Sequence, residues 1–158
     1  MPIRLSNRYL RRKTATVAAS FTALAGLGLA LPASAHAAAG CTTLRATVAN
    51  SAGAPGGHVQ ATLCSNSSAP YQWRLNQSYY NFVEDYQADG VAARAYIQHG
   101  SFTPNGPLGV DDTSTSGGTT LDSWEGTNAS TSVRVYVCLG TKFPGSTGAR
   151  CASAYASI

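Results

Sequence analysis

Residues 80–98 read YNFVEDYQADGVAARAYIQ, two β-compatible runs that meet at Asp89-Gly90. That dipeptide favours a tight two-residue turn, so the spacing predicts a hairpin. With Ala88 opposite Val91, Tyr86 faces Ala93, Glu84 faces Ala95 and Phe82 faces Ile97. The result is one mostly apolar face, which needs a core. On the other face Asp85 lies across from Arg94 and Val83 across from Tyr96, and the ion pair contributes about 0.2–1 kcal/mol. Tyr79, Phe82, Val83 and Tyr86 also fit helical spacing, with Gly90 as a C-terminal cap. Residues 78–88 therefore stand open between strand and helix.

Toward the N-terminus, Arg4, Arg8, Arg11, Arg12 and Lys13 precede an apolar Ala/Leu-rich run to Leu31, which is followed by Pro32-Ala33-Ser34-Ala35. This is the pattern of a secretory signal peptide, expected over 1–35 with cleavage after residue 35 or 37. Arg11-Arg12 matches a twin-arginine signal only in the pair itself, because Lys13-Thr14-Ala15 is not apolar. Cys41 lies too far beyond the apolar run to carry a lipid. A single secreted domain over 36–158, released without a membrane anchor, is the expectation.

Removing the leader changes the charge argument. Five of the 11 Lys and Arg belong to it, leaving Arg45, Arg74, Arg94, Arg134, Lys142 and Arg150 against 7 acidic residues. The formal charge falls from +4 to about −1. Six scattered cations do not make a phosphate-binding surface, so no nucleic-acid partner is expected.

Cys41, Cys64, Cys138 and Cys151 are even in number and bound for an oxidising compartment, which predicts two disulfides. Three connectivities are possible, and hairpin geometry favours the local one. Residues 42–49 and 58–63 read as strands around a Gly/Pro-rich turn, and setting Leu44 against Ala61 brings Cys41 opposite Cys64. Residues 132–139 and 149–157 flank Pro144-Gly145-Ser146-Thr147-Gly148 in the same way, so Cys138 can face Cys151. Each closed loop contributes about 3 kcal/mol. No Cys-x-x-Cys pair argues for zinc, and no cofactor is expected.

Ser132 to Leu139, SVRVYVCL, puts Val133, Val135, Val137 and Leu139 on one face. Short strands with Gly/Pro/Asn turns point to an all-β fold, a small two-sheet sandwich or open barrel of antiparallel hairpins. Residues 99–131 are Gly/Pro-rich and polar, a long loop with short edge strands at most, from which Trp124 is expected to fold back onto the sheet.

Catalytic chemistry is thinly represented. His58, at the start of a strand, and His99, at the end of one, both read as surface histidines, and no Gly-x-Ser-x-Gly elbow is present. Asp111, Asp112, Asp122 and Glu125 sit in the polar stretch, which lacks the rigid, partly apolar setting of an acid–base pair. A non-enzymatic binding domain is expected. Its candidate residues are Tyr71, Trp73, Arg74, Tyr79, Tyr80 and Trp124, since Trp, Tyr and Arg dominate interface hot spots. Asn66, Asn76 and Asn128 open Asn-x-Ser sequons, which mark polar turns.

Two resemblances bear on the partner. Cys64 followed by Tyr71-Gln72-Trp73-Arg74-Leu75 resembles the proteinaceous α-amylase inhibitors of actinobacteria, in which a Trp-Arg-Tyr tripeptide enters the enzyme's cleft. Only Trp73 and Arg74 match, and Leu75 stands where that family has tyrosine. The layout as a whole, an alanine-rich leader before a β-rich domain with two disulfides, is similar to the adaptor subunits of umbrella toxin particles. That resemblance implies an adaptor bridging other secreted proteins, a lectin-bearing subunit and a toxin chain. An inhibitor of a secreted hydrolase and a carbohydrate-binding module are the alternatives.

Overall fold

The computed structural model describes residues 40–66, 72–114, 117–126 and 130–157, and every regular element among them is a strand. The signal segment expected over 1–35 and Tyr71 lie outside these residues. The strands are β1 (Cys41–Ala49), β2 (Pro55–Asn66), β3 (Gln72–Leu75), β4 (Phe82–Asp85), β5 (Ala93–His99), β6 (Asn105–Asp111), β7 (Thr119–Thr120), β8 (Ser132–Leu139) and β9 (Arg150–Ser157). They form two antiparallel sheets packed as a sandwich. The first is ordered β1-β2-β4-β7 with β3 also on β2, and the second β6-β5-β8-β9.

Two hairpins follow directly from the alternation of their side chains. In β1 and β2, Leu44 opposes Ala61 and Cys41 opposes Cys64, which form a disulfide. In β8 and β9, Cys138 opposes Cys151, which form the other. Leu44, Ala46 and Val48 point inward from β1, and Val133, Val135 and Val137 from β8. Between the sheets they meet Val59, Leu63, Val83, Ile97 and Leu121 in one apolar layer.

The predicted hairpin over 80–98 is not formed. β4 pairs with β2 and β7, whereas β5 pairs with β6 and β8, so the two runs lie in different sheets. The Asp89-Gly90 turn is real, since Gly90 has φ 73° and the Val91 N–H donates to Asp89 Oδ1 at 2.9 Å. It carries the chain across the sandwich instead of folding it back. The phase of β4 is also the reverse of the one expected: Val83 is 0 % exposed and Asp85 2 %, while Tyr86 faces solvent. Asp85 does not meet Arg94, whose Nη1 donates to the Gly140 carbonyl at 2.6 Å. For β5 the reading is right, because Ala93, Ala95 and Ile97 are all inward. The helical alternative for 78–88 is not found.

The segment over 99–131 is more regular than a loop, since it contains β6 and β7, each at the edge of a sheet. Beyond β7, Trp124 folds back onto the sheet as expected: Leu75 N–H donates to the Trp124 carbonyl at 2.9 Å and Gly126 N–H to the Trp73 carbonyl at 2.8 Å. Gly118, at φ +58°, sits where a Cβ would come within 2.4 Å of the Val83 carbonyl oxygen. Only glycine lets β7 approach β4 so closely.

Candidate functional site

The residues singled out from the sequence separate into three groups. Trp73 is 3 % exposed, and its indole N–H donates to the Ser130 carbonyl at 3.2 Å. Trp124 is buried beside it in the same core layer. Both indoles therefore belong to the interior, and neither projects as a wedge. Arg74 is exposed on the opposite face of β3. Tyr79 and Tyr80 are both about half exposed.

Tyr80 belongs to a larger feature, on the solvent side of the first sheet. Its ring stacks on Phe82 with centroids 4.8 Å apart; Phe82 lies 5.8 Å from His58, and His58 stacks on Tyr86 at 6.3 Å. This row of four rings crosses from β4 to β2 because Gln60 opposes Phe82 and His58 opposes Glu84. Polar neighbours hold it in place. Arg45 Nε donates to Gln60 Oε1 at 2.8 Å, and Gln60 Nε2 donates to the Tyr80 carbonyl at 2.9 Å. Thr47 Oγ1 and His58 Nδ1 share a hydrogen bond of 2.9 Å. The Tyr80 hydroxyl donates to the Gly117 carbonyl.

Electrostatics in the row favour neutral rings. Burial lowers the His58 pKa, with Glu84 acting in the opposite sense and Arg45 in the same sense. Burial raises the Tyr86 hydroxyl, and the Glu84 carboxylate beside it raises it further. A row of uncharged rings between one carboxylate and one guanidinium suits amphipathic contact with another molecule.

A second cluster lies on the outer side of the other sheet. Arg134 has its guanidinium carbon 5.9 Å from the Tyr136 ring centre and 5.7 Å from that of Tyr155, its cross-strand partner. Tyr136 is anchored by its hydroxyl, which donates to Gln98 Oε1 at 2.6 Å, whereas Tyr155 is 69 % exposed. The sequence reading missed this cluster and the inner members of the first row. The signal was present in both cases: Arg134 and Tyr136 alternate with the inward valines of β8, and Phe82 and Tyr86 alternate with Val83 and Asp85.

Among the carboxylates, Asp112, Asp122 and Glu125 are exposed and Asp111 is buried. Asp111 Oδ2 accepts the Asp85 N–H at 2.8 Å, and its Oδ1 accepts the Thr113 N–H and hydroxyl. Burial raises the pKa of neighbouring Asp85. No group of three metal-ligating side chains occurs among the described residues, and no helix among them is long and apolar enough to cross a membrane. The two disulfides match an oxidising, extracellular setting. Asn76 is turned toward the first disulfide, its Nδ2 lying 3.2 Å from Cys64 Sγ.

Compared with known proteins, the chain matches no family model, no curated protein and no solved structure.

Proposed function

We propose that the chain is a secreted, non-enzymatic adaptor that holds two protein partners at once, one against each outer face of the sandwich. The observation that carries this reading is the presence of two separate aromatic clusters with arginine on opposite sheets, Tyr80-Phe82-His58-Tyr86 and Tyr136-Arg134-Tyr155. Tyrosine and arginine are the residues that dominate protein interfaces, and two such faces pointing away from each other suit a bridge. The setting implied by the overall layout is an extracellular toxin assembly.

The alternatives fit less well. In the first row the rings stand against one another, so their faces are occupied by neighbours and only the ends are open to stack on a sugar. An inhibitor of the amylase-inhibitor kind would project its tryptophan, and Trp73 lies in the core. Tagged protein recovered from culture supernatant tests the proposal. Two larger chains should be retained, one lost on Phe82→Ala with Tyr86→Ala and the other on Tyr155→Ala. Recovery of the chain alone would reject it.

A further inference from the structure

The geometry points to Arg134 as a receptor for a single carboxylate, an Asp or Glu side chain presented by a partner protein. This inference rests on the two-faced reading for the owner of the carboxylate, and on geometry for the site.

Three observations carry it. The Arg134 guanidinium lies beside two tyrosine rings, one fixed through Gln98 and one opposite it across the strands, so its direction is set before any ligand arrives. Aromatic neighbours position a guanidinium without using its N–H donors. Second, no hydrogen bond or ion pair occupies those donors among the described residues, in contrast to Arg45 and Arg94, which are bonded to Gln60 and Gly140. Third, the side chain borders a recess of about 250 Å³ lined by Gln98, Gly100, Ser132, Val133, Arg134 and Tyr155.

The donors available there select the ligand. The Gly100 N–H is already given to the Ser132 carbonyl and the Ser132 N–H to Ser130 Oγ. Gln98 donates its Nε2 to the Phe102 carbonyl. What remains is one planar fork with the only positive charge in the recess, beside three neutral donors, the second Gln98 Nε2 hydrogen and the Ser132 and Tyr155 hydroxyls. A fork of parallel N–H bonds matches the two coplanar oxygens of a carboxylate. Sulfate or phosphate on an anionic polysaccharide would call for more charge than one arginine supplies. An acidic side chain on a protein partner is therefore the occupant.

The test uses the full secreted protein with ¹⁵N-labelled arginine, titrated with acetyl-Gly-Glu-Gly-amide, its Gln counterpart, inorganic sulfate and heparin. The Glu peptide should shift the Arg134 Nε–Hε signal and the Tyr155 ring protons saturably, and the Gln peptide should leave them in place. Arg134→Lys should weaken that binding about tenfold and Tyr155→Leu several-fold, with the thermal midpoint unchanged in both. Equal, unsaturable shifts at Arg74 and Arg150 would reduce the effect to general screening and overturn the inference, as would tighter binding of sulfate or heparin than of the Glu peptide. Saturable Glu binding by a protein that recovers no partner from supernatant would sink the adaptor and leave the carboxylate site standing.

Discussion

The backbone N–H of Asp85, at the end of β4, donates to Oδ2 of Asp111, at the end of β6, over 2.8 Å, so one buried carboxylate ties the first sheet to the second. Both aspartates are 2 % exposed. Asp111→Ala would leave the Asp85 N–H buried with no acceptor, which costs about 1–3 kcal/mol. A urea titration should show the unfolding free energy falling by that amount and the midpoint falling in proportion, at constant slope. A variant as stable as the parent would mean the tie is dispensable.

The phase of β4 can be tested residue by residue. Val83 is in the core, and Val83→Ala removes two buried methyl groups and leaves a cavity, a loss of about 2–3 kcal/mol. Glu84 points outward beside His58 and Tyr86, and Glu84→Ala should change stability by no more than about 0.5 kcal/mol. Chemical denaturation of the pair decides. Equal losses would restore the orientation expected from the sequence.

The disulfides should differ in how readily a reductant reaches them. Cys138 is wholly enclosed, whereas Cys41 is exposed at the start of β1. Thiolate attack needs access to sulfur, so limited reduction of the native protein, followed by alkylation and peptide mapping, should label Cys41 and Cys64 first. Prior labelling of Cys138 and Cys151 would contradict the burial.

Acid should weaken the fold in a defined window. His99, expected at the surface, is instead buried between the Phe102 and Trp124 rings, and its Nδ1 has no hydrogen-bond partner among the described residues. Burial holds the pKa of both His99 and His58 below the ordinary 6.5. Below pH 6.5 the unfolded chain takes up protons that the folded one refuses, so stability is full above that value and falls as pH drops through the lowered pKa values. Asp85 has the opposite sign. Its carboxyl is raised above 3.8, so stability is partly regained as pH falls from that raised value toward 3.8. His99→Phe should flatten the first decline and add about 1 kcal/mol at neutral pH by removing the unpartnered nitrogen. Thermal midpoints across pH 4 to 8 provide the check, and an unchanged slope in the variant would count against this account of His99.

The sequence was most legible where a strand has one dry face and a covalent mate. The two stapled hairpins follow from alternation and cysteine spacing, down to Leu44 against Ala61. It misled where side-chain volume and burial part company. Phe82 and Tyr86 outweigh Val83 on any hydrophobic count, yet they form the outer row, while Asp85 goes inward because backbone and carboxylate hydrogen bonds receive it. A turn dipeptide fixes a local bend of the chain, and Asp89-Gly90 does bend it. Which strand each arm then joins is decided by β2 and β8, far away in the sequence. For the same reason the candidate site was half visible: Tyr79 and Tyr80 are at the surface, whereas Trp73 and Trp124 fill the interior under β3.

Each disulfide clips a hairpin within a single sheet, and neither crosses from one sheet to the other. The sandwich is thus bound like a book whose pages are each stitched but whose covers carry no stitch between them, meeting through apolar contact and the Asp85–Asp111 hydrogen bond. When denaturant pries the covers apart, two looped pages survive in the opened chain. The denatured ensemble stays more compact than its length implies, and the chain can close again from two ready-made leaves.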